Sequence, residues 1–357
     1  VTIQRTQFLR LFITPLLLVC AAVHAASGTP PSGYAYAPNI QDGSISLFKI
    51  DAGGKLEALN ILASGSAPRD AAAAGQTLYV VDIWADTLTA FTLNSGAARL
   101  HQLGAPLATG KSPETVAIDP LGRFVFVGNG NSDSIQVFRI ENPQGELSPI
   151  GHFASGAYPT DIAIDPCGRW LYVTHYADHS VGSYAIDPHS GRLQVQGQVA
   201  AGNSPAAAVV APSGDFLYVA DGLGSTLSIY RIDGQRGTLK FRRRIAAPTY
   251  PYALMIDWEG RYLYTANFGS NDVTTYALQA DGIPLKIGSV AAGIGPFSIT
   301  LDGSGRHAYV ANVRSSSINV YSVEPEKGLL TPLQTLQAEP GTATLELSQA
   351  QRHACAE

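Results

Sequence analysis

The sequence predicts an all-β protein, a seven-bladed β-propeller of four-stranded antiparallel blades. Three observations carry that expectation: one strand motif occurs seven times, its spacing is nearly constant, and the C-terminus holds an inner strand that the N-terminus lacks. The motif is Tyr36-Ala-Pro-Asn39, Tyr79-Val-Val-Asp82, Phe126-Val-Gly-Asn129, Tyr172-Val-Thr-His175, Tyr218-Val-Ala-Asp221, Tyr264-Thr-Ala-Asn267 and Tyr309-Val-Ala-Asn312. Successive aromatic residues lie 43, 47, 46, 46, 46 and 45 positions apart, a period that suits propeller blades and exceeds that of leucine-rich or ankyrin units.

Each repeat divides into four strands. The innermost follows a Gly-x-x-Pro lead-in, as in Pro113-Glu-Thr-Val-Ala-Ile-Asp119, and ends in a turn such as Asp119-Pro-Leu-Gly-Arg123. Proline presets φ and glycine accepts positive φ, so these residues punctuate the chain for a physical reason. The Tyr-Val motif is the second strand. The third alternates polar and apolar residues, as in Ser134-Ile-Gln-Val-Phe-Arg-Ile140, the period of two that a sheet packed between layers requires. A turn with glycine, such as Asp187-Pro-His-Ser-Gly191, leads to the outer strand. The C-terminal Pro340-Gly-Thr-Ala-Thr-Leu-Glu-Leu resembles Pro296-Phe-Ser-Ile-Thr-Leu-Asp-Gly. It is therefore expected to supply the first blade's inner strand and to close the ring, removing the open sheet edges.

The chain has 357 residues, of which 45% are hydrophobic and 14% charged, with a net charge of −5. That composition suits a large core and lacks the basic footprint of a nucleic-acid or anionic-lipid binder. Arg242, Arg243 and Arg244 form the one basic run, read as a solvated outer strand. Arg5 and Arg10, the apolar stretch from Leu11 to Val23 and the small residues of Val23-His24-Ala25 read as a cleavable signal peptide over 1–25. The propeller would then span 26–357 and work in the periplasm or outside the cell, with no further spanning segment and as a monomer. Cys167 and Cys355 are a pair that an oxidising compartment could join. No metal-ligand spacing, Walker loop, Gly-x-Ser-x-Gly elbow or dinucleotide fingerprint occurs, so neither a metal nor a cofactor is expected.

Alternating hairpins put the Asp-x-x-Gly-Arg turns on one face, where Arg123, Arg169, Arg261 and Arg306 recur as turn contacts. The other face varies between blades, which is where a scaffold builds a site. After the lead-in prolines come Arg69, Glu114, Thr160, Ala206, Tyr252 and Phe297, with Asp70 and Asp161 one residue further on. Arg69, Glu114, Asp161 and His175 are the candidate catalytic residues, able to hold an oxyanion and to activate water. Acidic and basic groups there could equally pair with one another, and His175 could equally be a satisfied neighbour in an Asn/Asp series. Asp70, Asp82, Trp84, Tyr176, Tyr252 and Phe268 are the candidate ligand-binding residues, the aromatic ones as a stacking surface or as loop packing.

Leu171-Tyr-Val-Thr, Ala308-Tyr-Val-Ala-Asn312 and Ile118-Asp-Pro-Leu-Gly-Arg123 resemble the repeats of the seven-bladed lactonase-like propellers, the YVTN-repeat family that includes 6-phosphogluconolactonases. The resemblance covers nearly all of 26–357. It implies hydrolysis of a lactone, with a Pro-Arg-His lead-in, an Asn-Glu-Leu strand end and a second histidine. Here the matching positions read Pro68-Arg69-Asp70 and Asn129-Gly-Asn131. Two functions follow: a propeller that binds a small molecule or a protein partner at the channel mouth, or a hydrolase acting on a lactone outside the cytoplasm.

Overall fold

A computed structural model of the chain describes residues 33–94 and 98–348. The expected signal peptide lies outside the described residues. Cys167 is disulfide-bonded, but the expectation that names Cys355 as its partner likewise falls outside them.

The described residues form seven four-stranded sheets, each antiparallel throughout. Blade 2 shows the common plan: inner strand Pro68–Ala74, second strand Thr77–Asp82, third strand Thr87–Asn94 and outer strand Arg99–Ala108. Blades 3 to 7 begin with the inner strands Pro113–Ile118, Pro159–Ile164, Pro205–Val210, Pro251–Ile256 and Pro296–Leu301. The second strands end at Asn39, Asp82, Asn129, His175, Asp221, Asn267 and Asn312, the residues at which the repeat motif ends. These strands are the most deeply buried part of the ring, with Tyr79, Tyr172, Tyr218, Tyr264 and Tyr309 almost wholly inaccessible. Three of those tyrosines also bridge blades: Tyr79 Oη donates to the Gly145 carbonyl at 3.1 Å, Tyr218 Oη to Gly282 at 3.0 Å and Tyr309 Oη to Gly54 at 2.9 Å. The Arg242–Arg244 run is exposed on the outer strand Leu239–Ala246, as expected.

Two local devices position the mouth. In blades 2 to 7 the lead-in proline pairs with the last residue of the second strand, as Pro68 with Asp82 and Pro113 with Asn129, and a bulge follows at once. The residue after the proline is thereby left out of the ladder and re-aimed. Those residues are Arg69, Glu114, Thr160, Ala206, Tyr252 and Phe297.

The second device is a clasp between blades. Ser112, Tyr158, Ser204 and Tyr250, each preceding a lead-in proline, adopt positive φ of 52°, 57°, 53° and 53°. Each donates its backbone N–H to a side chain on the preceding blade: Ser112 to Asp86 (2.8 Å), Tyr158 to Asp133 (2.9 Å), Ser204 to His179 (2.9 Å) and Tyr250 to Ser225 (3.4 Å). The bond holds the residue in a conformation that a bulky side chain adopts rarely.

The ring closes as expected, but in a different register. Glu346–Leu347 is the inner strand of blade 1, with Leu347 opposite Ala35 and Glu346 opposite Tyr36, and Thr342 bridges to Asn39. Thr342, rather than Pro340, thus holds the place that Pro296 holds opposite Asn312. The physical reason is Gly341, whose φ of 76° matches the 68° of Gly295 and supplies the turn just before the strand. The two-residue displacement puts Glu346 opposite Tyr36, where blade 7 has Thr300 opposite Tyr309.

On the opposite face, Asp119, Asp165 and Asp257 accept backbone N–H bonds from Arg123, Arg169 and Arg261. The side chains of these arginines return to the same aspartates at 2.7, 3.6 and 3.4 Å. Arg306 donates only its backbone N–H to Asp302, whose carboxylate takes His307 Nδ1 instead at 2.7 Å. This is the turn role that the sequence suggests for the face.

Candidate functional site

Arg69 and Glu114, thrown inward by neighbouring bulges, meet at the mouth: Arg69 Nε donates to Glu114 Oε2 at 2.9 Å. Arg69 Nη2 donates to Tyr252 Oη at 2.7 Å, and Tyr158 Oη donates to Glu114 Oε1 at 2.6 Å. The guanidinium lies over Phe297, 4.5 Å from the ring centroid, and Tyr252 stacks on Phe297 at 4.1 Å. Both charges are largely withdrawn from water, with side-chain exposures of 14% for Arg69 and 4% for Glu114. Burial would lower the Arg69 pKa, but Tyr252 and Glu114 reverse the effect and hold it above the ordinary value. This network is buried and charged.

Above it a space of about 520 Å³ is walled by Tyr158, Tyr176, Tyr250 and Tyr252, with Ile83, Thr160, Ala177 and Ala206. Below it the lumen narrows to about 170 Å³, where Asp70, Asp161, Thr115, Ser298 and Thr344 join the lining. Asp161 accepts backbone N–H bonds from Ala208 at 2.8 Å and Ile162 at 2.9 Å. Burial pushes its carboxyl up to about 7, and the nearby Asp70 adds to the rise. Asp70 itself is raised by burial, although Val116 donates its N–H to it at 3.0 Å. Deeper still, Glu346 accepts the Ala73 N–H at 3.2 Å and is pushed up to about 8, by burial first and then by Asp70. Asp70 thus disfavours the ionisation of both Asp161 and Glu346.

The expected residues separate into two groups. Arg69, Glu114, Asp161, Asp70, Tyr252 and Tyr176 all line these two connected spaces. Phe268 stands behind them, packed on Tyr250, Tyr252 and Phe297 at 5.6, 6.0 and 6.3 Å.

The structure sets His175, Asp82 and Trp84 apart from both spaces. His175 is fully buried at the end of its strand, where Nε2 accepts the Gly156 N–H at 3.1 Å and Nδ1 bonds Ser180 Oγ at 3.0 Å. Both ring nitrogens are used, and burial lowers the pKa to about 4, so the ring is a neutral loop anchor rather than a mouth residue. Asp82 does the same work, accepting the N–H groups of Ser66, Ala67, Trp84 and Ala85. Trp84 is 70% exposed and lines neither space.

Tyr158 and Tyr250 are site residues beyond the expected set, signalled only by tyrosine in a position that is serine at 112 and 204. Gly130 explains the departure from the Asn-Glu-Leu pattern. A Cβ there would lie 3.1 Å from Glu114 Cγ and 3.2 Å from the Tyr158 ring. Glu114 thus fills the space that a side chain at 130 would need. Among the described residues no group of three or more His, Cys, Asp or Glu side chains is placed to hold a metal ion, and no helix is long and apolar enough to cross a membrane.

Seven closed blades around a polar channel, with a charged network at one mouth, define the class: a β-propeller whose site is built on the inner strands. The family model for the seven-bladed β-propeller lactonases matches residues 20–205, 194–286 and 249–346, and the chain belongs to that family. The 6-phosphogluconolactonase of Sodalis glossinidius (strain morsitans) is 31% identical over 132 residues, 34% of this chain and 40% of that protein. That of Serratia proteamaculans (strain 568) is 31% identical over 150 residues, 37% and 45% of the two chains. The matched stretches span less than half the length of these relatives. Among solved structures, the periplasmic gluconolactonase of Pseudomonas aeruginosa has a TM-score of 0.78 at 20% identity, covering 89% of this chain and 99% of that one. A Lactobacillus plantarum protein has a TM-score of 0.80 at 21% identity, covering 88% and 99%. At these identities the likeness is one of fold.

Proposed function

We propose that the channel mouth binds a small molecule and hydrolyses it as a lactone, outside the cytoplasm if 1–25 directs export. The observation that carries the reading is the Arg69–Glu114 pair held by Tyr158 and Tyr252 inside a walled space. Membership of the lactonase family supports it.

Ring opening needs a base for the attacking water, a cation for the carbonyl oxygen as it becomes an oxyanion, and a proton for the departing ring oxygen. Glu114 is the base, oriented by two hydrogen bonds. Arg69 is the cation, because among the described residues its Nη1 has no protein partner. Asp161, with its carboxyl pushed up to about 7, still holds a proton below that pH and is the acid. Water adds to the carbonyl carbon, the bond to the ring oxygen breaks, and a hydroxy acid leaves.

The test is base uptake at fixed pH with a panel of sugar and aromatic-acid lactones, beside Glu114→Gln and Asp161→Asn. Glu114→Gln is expected to lower kcat/KM by about 10²–10⁴-fold. The parent rate should fall as pH rises through about 7, and that limb should vanish in Asp161→Asn. Parent rates equal to buffer across the panel would leave a binding propeller. The second reading has its own support: Arg69 and Glu114 already neutralise each other, as in a purely structural ion pair.

A further inference from the structure

We infer that the mouth accepts an uncharged, hydroxyl-rich lactone ring and excludes lactones bearing phosphate or carboxylate; this rests on the lactonase reading above. The argument is a charge inventory. Arg69 is the one cation among the residues lining the two spaces, against the carboxyl groups of Glu114, Asp70 and Asp161. Their net charge runs from zero, with Asp70 and Asp161 protonated, to −2 with both ionised. While Glu114 is ionised, none of these states is net positive.

A phosphate dianion is held by several charge-assisted donors, above all bidentate arginine. Arg69 has committed Nε to Glu114 and Nη2 to Tyr252, while its face is covered by Phe297. What remains suits one carbonyl oxygen. Two other cations are engaged elsewhere: Lys111 binds Asp86 at 2.7 Å and Arg314 lies over Phe268 at 4.4 Å, and neither lines either space. In a protein-walled space of low dielectric, an anion beside Asp70 and Asp161 meets repulsion that bulk water would screen.

The same walls favour a neutral ring. Tyr158, Tyr176, Tyr250 and Tyr252 offer flat faces with hydroxyl edges, and the Tyr176 and Tyr250 hydroxyls lie 3.3 Å apart. Thr115, Thr160, Ser298 and Thr344 supply further neutral hydroxyl groups below. Aromatic faces with polar rims fit a ring that is apolar above and below and hydroxylated at its edge.

The experiment is calorimetric titration of the full chain with gluconolactam, a ring that cannot be hydrolysed, and with its 6-phosphate. Gluconolactam is expected to bind at least about tenfold more tightly, a gap of ~1.4 kcal/mol. The gap should widen as pH rises through about 7, where Asp161 ionises. Ala177→Arg, on the rim of the upper space, should restore binding of the phosphate without altering Arg69 or Glu114. Equal or tighter binding of the 6-phosphate by the parent chain would overturn the inference and leave the lactonase reading standing. Binding of neither ring would overturn the occupant that both share.

Discussion

Burial acts on two kinds of titratable group here, with opposite signs. His175 is lowered to about 4, so the unfolded chain takes up its proton first. The stability it permits is present above its ordinary pKa of about 6.5 and is lost as pH falls towards 4. Asp161 and Glu346 are raised to about 7 and about 8, so their stability is complete below the ordinary carboxyl range and is lost as pH rises through those values. Glu346→Gln should therefore raise the melting temperature at pH 9 and leave it nearly unchanged at pH 5, as thermal melts at both values would show. His175→Ala should cost about 1–3 kcal/mol in urea unfolding by orphaning the Gly156 N–H, with turnover per folded molecule unchanged. His175→Asp should recover most of that loss, since Asp82 and Asp221 in the equivalent place accept loop N–H groups. Arg69, Glu114 and Tyr252 were legible in the sequence because the residue after each proline varies while its frame does not. Of the two readings that the sequence left open for His175, the contacts support the satisfied neighbour, whose oddity is chemical only: a ring nitrogen replaces a carboxylate oxygen as acceptor for the same loop. Tyr158 and Tyr250 stayed hidden because a position before proline reads as turn chemistry, and nothing local says that its side chain reaches a carboxylate.

Strand by strand, the clasps turn backbone conformation into site geometry. Tyr158 reaches Glu114 only while positive φ is maintained, and Asp133 on blade 3 accepts the N–H that maintains it. Asp133→Ala is expected to cost about 1 kcal/mol in stability and to lower kcat by about tenfold, with a smaller change in KM. Tyr158→Phe, which keeps the backbone and loses the hydroxyl, should reproduce the kinetic effect without the loss of stability. Steady-state kinetics and urea titration of the two variants would separate these effects. The ends of the second strands could be read to the residue, since motif and strand stop together at Asn39, Asp82, Asn129, His175, Asp221, Asn267 and Asn312, whereas each strand starts two or three residues before the motif's aromatic. The closing strand could not. Pro340 imitates Pro296 in sequence, whereas the fold responds to the glycine that turns the chain, and Gly341 sets the register two residues later. The outer strand of blade 2 was equally illegible. Its partners jump from Leu107 at Leu88 to Leu103 at Ala90, and exposed outer residues leave no hydrophobic pattern to mark such a slip.

For the whole ring, one short strand closes the circle. Leu345 and Leu347 are each only 3% exposed and pack with Ala35, Phe48, Tyr309 and Val320 across the junction of blades 7 and 1. Leu347→Ala should cost about 2–5 kcal/mol and broaden the unfolding transition, because a loosened junction exposes sheet edges on both sides. Differential scanning calorimetry would read both changes. The seam is also where the described chain meets itself: Ser348 N–H donates to the Tyr34 carbonyl at 3.0 Å, and Ser348 Oγ accepts the Tyr34 N–H at 2.9 Å. Topologically the described fold is a loop that happens to be cut once. A permuted gene joining 348 to 33 through a short linker and opening instead at the exposed turn 187–189 would encode the same circle from a different starting blade, with Arg69 and Glu114 still side by side.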